Sequence, residues 1–346
     1  MPAATGPATT ISVRLSTAGR SAASGFGRDT GVGMATQDSQ GRVEQEHRAF
    51  RAQLIADGVL LDTGLDGSYL HSEGFEQVIS GVQSLVSRAS RPDGPATWLR
   101  VPSVMPRSLL LQTSYLTAFP QLVGSVHTFR GAHRAHAELV AASTSGGDWG
   151  AHLVTTEAVL CPATCHQVYP LCASGLPPEG RRFDVVGQCF RAEPSLDPAR
   201  MISFRMHEQV IVGSAEQAQE HRNRWVDRAA ELLGSLGLSV HALPANDPFF
   251  GRLSSILAAG QRSKGLKVEI LGRVSSSEQP TALVSANLHE DHFGTIFGLT
   301  LPDGSTAHTA CVGFGLERVA LALVAAHGSD IGAWPPHVRS LLELAA

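Results

Sequence analysis

The chain has 346 residues, 43% of them hydrophobic, and a formal net charge of −4. That is ample apolar material for one large or two smaller globular domains. The charge balance argues against the broad basic face that grips nucleic acid. Five cysteines (Cys161, Cys165, Cys172, Cys189, Cys311) form an odd set with no secretory signal ahead of them. This disfavours a disulfide framework and favours metal binding or buried thiols. No apolar run approaches membrane-spanning length, so the expected location is the cytoplasm.

Residues 1–41 are rich in Ala, Gly, Ser and Thr without a sustained period, which predicts a disordered tail ahead of a single catalytic domain over 42–346. A helical pattern runs from Val43 to about Asp57, followed by a short strand at Val59-Leu60-Leu61. Apolar residues at Phe75, Val78, Ile79, Val82, Leu85 and Val86 predict an amphipathic helix over 72–90. Thr97–Val101 reads as a strand that Pro102 stops. The block 108–129 is a helix or loop near the mouth of a site. Two strand-like runs, 183–193 and 202–212, flank a turn-rich loop and predict an antiparallel hairpin with a long tip. A helix over 216–236 carries Arg222, Arg224 and Arg228. Strands follow at 267–271, 282–286 and 309–312, and the last leads into a helix from Phe314. Strands outnumber crossovers after residue 150, so the fold class is α+β, a mostly antiparallel sheet flanked by helices.

Two segments carry the chemistry. Phe190-Arg191-Ala192-Glu193 closes the first hairpin strand, with Arg191 and Glu193 on one face at a spacing of two. Gly313-Phe314-Gly315-Leu316-Glu317-Arg318 joins the last strand to the last helix. Arginine suits phosphate chemistry because its planar fork binds oxygens bidentately and its face stacks on a base. Together, and in this order, the segments resemble motifs 2 and 3 of the class II aminoacyl-tRNA synthetases, and the helix–strand pair ending at Pro102 resembles motif 1, usually a dimer contact.

The resemblance implies ATP-dependent activation of an amino acid. Arg191 would hold the α-phosphate and the substrate carboxylate, Glu193 the adenine amino group, and Arg318 the adenine face and γ-phosphate. Gly313 and Gly315 would let the backbone approach the nucleotide. Glu269 and the pair Glu290-Asp291 are candidates for Mg²⁺. Many members stack adenine on an aromatic residue after the glutamate of the second hairpin strand. Here Gln209 follows Glu208, and Phe204 is the remaining candidate.

Longer phrases, Phe190 to Met201, Phe204-Arg205-Met206-His207-Glu208 and Asn287 to Gly294, are similar to the amino acid:[carrier protein] ligases, truncated relatives of the atypical zinc-dependent seryl-tRNA synthetases. That resemblance implies a zinc ion held by Cys165, Glu208 and Cys311, with a fourth position for the substrate amine, rather than by the obvious Cys161/Cys165 pair. The reaction implied is adenylation of glycine or alanine, then transfer to the phosphopantetheine thiol of a small acyl-carrier-type protein. The enzyme would be a homodimer, and no tRNA is expected, because the first seventy residues contain neither heptads nor a basic block. Arg222, Arg224 and Arg228 are candidate docking residues for an acidic carrier, or simply a solvated helix face. The competing expectations are a stripped seryl-type synthetase, a silent regulatory paralogue, and a zinc hydrolase built on His289 and His292.

Overall fold

A computed structural model describes residues 32–251 and 254–344. The chain divides into two units, Met1–Gln40 and Gly41–Ala346. Of the first unit, only the opening turns of helix α1 (Val32–Ala56) are described, and the tail expected before Val32 lies outside the described residues. All the remaining elements belong to the second unit. Helix α1 starts ahead of the apolar pattern that begins at Val43, because polar and small residues can extend a helix that a buried segment has nucleated.

The centre of the fold is a seven-stranded sheet. Numbered within this sheet, its strands are β1 (Thr97–Val101), β2 (Arg181–Phe190), β3 (Ser203–Gly213), β4 (Val240–Pro244), β5 (Lys267–Gly272), β6 (Thr281–Glu290) and β7 (His308–Gly315). The order across the sheet is β1-β2-β3-β7-β6-β5-β4. Only the β1–β2 pair is parallel; the other neighbours are antiparallel. The antiparallel expectation therefore holds, with one parallel edge. The hairpin β2–β3 pairs from Arg181↔Val212 to Phe190↔Ser203, so the long tip spans 191–202. A smaller sheet joins Val104–Pro106, Val154–Leu160 and Ser125–Thr128, so the end of the block 108–129, expected as helix or loop, is a strand.

Four further helices matter. Helix α2 (Glu73–Ser90) begins where the Ser72 hydroxyl accepts a bond from the Phe75 amide, and Glu73 and Glu76 sit in its first turn, where the helix dipole favours them. Its buried face is Phe75, Val78, Ile79, Val82, Leu85 and Val86, each worth about 2 kcal/mol of burial. Helix α3 (Ala215–Ser235) starts with a reciprocal cap between Ser214 and Gln217. Helix α4 (Ser254–Ser263) has no fully buried residue. Helix α5 (Leu316–His327) is buried along nearly its whole length. Residues of α2, α3 and α5 form the main core together with Val284, Val312 and Phe314 of the sheet. Among the described residues, no helix is long and apolar enough to cross a membrane.

Within the arginine row on α3, Arg228 is firmly paired. Arg228 clamps Asp93 through both terminal nitrogens at 2.6 and 2.9 Å and packs over Trp225. Arg224 and Arg182 approach the same carboxylate at 3.6 and 3.8 Å. Asp93 is held below its ordinary range: burial pushes it up, and the arginines outweigh burial. This cluster ties α3 to the residues that follow α2.

His221 of α3 is buried and donates to the Gln209 carbonyl at 3.1 Å. Burial, partly offset by that carbonyl, lowers its pKa from 6.5 to about 4. The folded state therefore refuses a proton that the unfolded chain accepts below pH 6.5, so stability falls as pH drops through that window toward 4. At ~1.4 kcal/mol per pH unit the full effect is about 3 kcal/mol. Denaturant unfolding at pH 7 and pH 4.5 should show this slope, and His221→Gln should reduce it by that share, leaving the part due to His166 and His289, which burial also lowers.

Candidate functional site

Strand alternation builds the site. Along β3, Phe204, Met206 and Glu208 line a cavity of about 990 Å³, while Arg205 and His207 turn to the helices on the other face, where they meet Glu76 and Asp184. Arg191, Glu193, Glu269, Gly313, Gly315, Arg318, Cys165 and Cys311 line the same cavity. All these residues singled out for ATP and metal thus share one space. Glu290 and Asp291 do not line it; Glu290 pairs with Lys264 at 3.2 Å instead. Its backbone has a φ of 52°, and the β6–β7 pairing shifts register between Leu288 and Glu290, which carries the carboxylate outward.

Cys165, Glu208 and Cys311 offer ligand atoms that all lie within 4.8 Å of one another. Among the described residues no other such group of three or more occurs. Cys311 stands on β7, and Gly313 pairs across to Glu208. A side chain at Gly313 would put its Cβ 3.2 Å from the Met206 sulfur and 3.3 Å from the Glu208 Cγ. The absent side chain there keeps the carboxylate in place. At Gly315 the nearest atom would be at an ordinary 3.4 Å, so only Gly313 is spatially demanded.

The single-turn helix Thr164–Gln167 supplies Cys165. Its start is fixed by Glu208, whose Oε1 accepts from the Thr164 amide (2.8 Å), the Thr164 hydroxyl (2.6 Å) and the Cys165 amide (3.3 Å). One oxygen is saturated, which leaves Oε2 for another partner. The Cys165 thiol is held well above its usual range by its bond to Cys311, by burial and by the Glu208 charge. The Cys165 bond pulls Cys311 down, but burial and Glu208 raise it overall. A divalent cation among these groups reverses that balance, since its charge favours thiolate and carboxylate. Two sulfurs and one carboxylate oxygen are a donor set suited to zinc with one open position. Asn287 and His289 each contact the Cys311 sulfur at 3.7 Å. Cys161 belongs elsewhere: it bonds the Ala163 carbonyl and Cys189.

The arginines stand out by what they lack. Among the described residues neither Arg191 nor Arg318 forms an ion pair. Arg191 donates to the Pro162 carbonyl at 3.4 Å and lies over the Phe204 ring at 5.4 Å. Arg318 donates to the carbonyls of Ala199 and Ala282 at 2.9 and 3.1 Å. Burial, reinforced by the like charges of Arg191 and Arg200, brings Arg318 down to about 10. Glu193 pairs with Arg200 at 3.3 Å. Glu269 pairs with Lys267 at 3.1 Å.

Sequence reasoning missed several cavity residues. Asp247 holds Lys267 at 2.5 Å and exchanges two bonds with Gln261 of α4; in sequence, Asn246-Asp247-Pro248 reads as an ordinary turn. Tyr115 and His166 wall the space beside Cys165 with rings 5.6 Å apart. Burial raises Tyr115 to about 12, with Arg191 opposing.

No family model matches the chain. It is 40% identical over 292 residues to amino acid–[acyl-carrier-protein] ligase 1 of Bradyrhizobium diazoefficiens, covering 84% of this chain and 89% of that protein. Ligase 2 of the same organism is 41% identical over 296 residues, covering 84% and 87%. The type-2 serine–tRNA ligase of Methanopyrus kandleri is 28% identical over 198 residues, which is 54% of this chain and 38% of that one. Among solved structures, M. kandleri SerRS in complex with A. aeolicus tRNASec superposes with a TM-score of 0.72 at 20% identity over 85% of this chain, which spans 60% of that chain. Cytoplasmic serine–tRNA ligase from Naegleria fowleri in complex with AMP gives 0.64 at 12% identity, covering 86% of this chain and 66% of that one.

The sheet order, the helix-backed hairpin and these superpositions define a class II aminoacyl-tRNA synthetase-like fold. Identity at this level over most of both chains goes further: the chain belongs to the amino acid–[acyl-carrier-protein] ligases and is a ligase.

Two unpaired guanidiniums in one cavity should bind a polyphosphate. At a hundredfold excess over its Kd, inorganic pyrophosphate should stabilise the fold by about 2.7 kcal/mol, visible as a rise of several degrees in Tm by scanning fluorimetry. Arg318→Ala should lose most of that rise.

Proposed function

We propose that this enzyme joins a small amino acid, glycine or alanine, to ATP, and passes the aminoacyl group to the phosphopantetheine thiol of a small carrier protein. The observation that carries the reading is one cavity holding both the Cys165–Glu208–Cys311 trio and the unpaired arginines Arg191 and Arg318, in a chain that resembles the carrier-protein ligases along most of its length.

In the first step a carboxylate oxygen of the amino acid attacks the α-phosphorus, and the bond to the β-phosphate bridge breaks to release pyrophosphate. Negative charge gathers on phosphate oxygens, and fixed cations that need no reorganisation stabilise it. Arg191 takes the α-phosphate and the attacking carboxylate, Arg318 the far phosphate and the face of adenine, and Glu193 the adenine amino group. Phe204, beneath Arg191, is the aromatic wall for the base in the absence of an aromatic residue at Gln209. Glu269, with one oxygen on Lys267, is the carboxylate offered to Mg²⁺.

Cys165, Glu208 and Cys311 would hold zinc, which when bound supplies a Lewis-acid position for the neutral α-amine. Tyr115, His166 and Phe293 crowd the space beside it, which favours a hydrogen or methyl side chain. In the second step the carrier thiol gives up its proton, its sulfur attacks the acyl carbon, and AMP leaves. The covalent cargo sits on the partner, so the enzyme needs no nucleophile of its own.

On the same reading the enzyme works as a homodimer in the cytoplasm. Trp98 on the edge strand β1 is half exposed, an unusual place for a bare indole.

Cys311→Ser and Glu208→Ala should each lower bound zinc from about one ion per chain to a small fraction and abolish amino-acid-dependent pyrophosphate exchange. Arg318→Ala should keep its zinc and lose exchange by roughly a hundredfold or more. Exchange across the amino acids, with zinc measured on the same samples, checks both. Aminoacylation of phosphopantetheinylated carrier protein but not of bulk tRNA is the outcome expected; charging of tRNA instead would favour the seryl-type reading.

A further inference from the structure

The far side of β3 carries a second constellation that the adenylation chemistry does not use. Arg205, between Phe204 and Met206, points away from the cavity. Its Nε and its backbone amide both donate to Glu317, at 2.8 and 2.7 Å. Its two terminal nitrogens reach both oxygens of Glu76 on α2, at 2.6 and 2.7 Å. His71 closes the group by bonding Glu76 at 2.6 Å. All three side-chain nitrogens of Arg205 are therefore engaged by carboxylates, in the fork geometry that lysine cannot reproduce.

This group sits where the strand ladder stops. Pairing between β3 and β7 ends at Met206↔Gly315. The next amide on β3 is that of Arg205, and the Glu317 side chain takes it where β7 has already turned into α5. Glu317 is only 2% exposed and immediately precedes Arg318. Without Arg205 this buried carboxylate would be an uncompensated charge, and the first turn of α5 would have to move to relieve it. Held by Arg205, Glu317 fixes that turn, from which Arg318 lines the cavity.

Resting on the adenylation reading, we infer that Arg205 is a positioning residue for ATP. Through Glu317 and Glu76 it clamps the turn between β7 and α5, so that Arg318 and the neighbouring Phe204 meet the nucleotide in a fixed arrangement. Arg205 touches no substrate itself.

The test uses the full-length protein and the variants Arg205→Lys, Glu317→Gln and Glu76→Gln. Calorimetric ATP binding is read beside glycine-dependent and alanine-dependent pyrophosphate exchange, with bound zinc measured throughout. The Lys and Gln variants keep side-chain volume near native, so they remain informative if a harsher change such as Arg205→Met fails to fold. In Arg205→Lys and Glu317→Gln, the Kd and KM for ATP should rise on the order of tenfold with kcat within about threefold, and zinc content and the amino-acid KM should stay at wild-type values. Glu76→Gln should follow the same pattern more weakly. Two results overturn the inference: ATP affinity within about twofold of wild type in both variants, or a fall in all parameters that only tracks a lost folded fraction. If the wild-type protein itself binds no ATP, the adenylation reading fails first, and the inference falls with it.

Discussion

One oxygen of Glu208 accepts three hydrogen bonds from the Thr164–Cys165 turn, and the geometry of the site depends on that buried carboxylate. A charge that is 1% exposed persists only with several donors aimed at it. Here the donors come from a single helical turn after the small sheet, a turn that Val168 and Tyr169 also pack into the core. The carboxylate therefore locates Cys165, while the β3–β7 register locates Cys311 and the missing side chain of Gly313 leaves room for Glu208 itself. Loop, strand and strand converge because one acid needs its donors.

Much of the fold was legible because its signals are short-range. Ser72 and the apolar spacing of α2 mark a helix within a few residues, and the strand Thr97–Val101 does stop before Pro102. The β2–β3 hairpin and the Gly313–Arg318 passage from strand to helix likewise have local signatures. The Cys165, Glu208, Cys311 set was legible only through a family resemblance, since nothing in spacing joins residues so far apart. What failed to show were features whose meaning is tertiary. Lys267 and Asp247 are ordinary polar residues in sequence, and only the fold makes them a half-buried pair. Glu290 looked like a metal ligand until a register shift turned it away. Arg228 looks unpaired in sequence because Asp93, its partner, lies on a different element.

The two faces of the sheet treat arginine differently. On the helix side, Arg228 and Arg224 converge on Asp93, and Arg205 is gripped by Glu76 and Glu317. These cations meet carboxylates: Arg228 and Arg224 join α3 to the turn after α2, and Arg205 joins β3 to α2 and α5. On the cavity side, Arg191 and Arg318 meet only carbonyls and an aromatic ring.

That contrast has an energetic meaning. A chain under selection for stability alone would supply a carboxylate to Arg318, since a buried guanidinium without one costs free energy, and here burial and like charges lower its pKa to about 10; at Arg191 burial is outweighed by Tyr115, Cys189 and Glu193, which hold it above its ordinary value. Two acids of the cavity act on Arg318 through their charge, Glu193 and Asp197. Arg200 takes both, at 3.3 and 4.0 Å, so neither pairs with Arg191 or Arg318. The fold thus keeps a deficit of negative charge in one place, and an anionic ligand is the group that removes it. On the adenylation reading, the buried charge of Arg318 is what a phosphate would meet, and Arg200 keeps Glu193 and Asp197 from meeting it first.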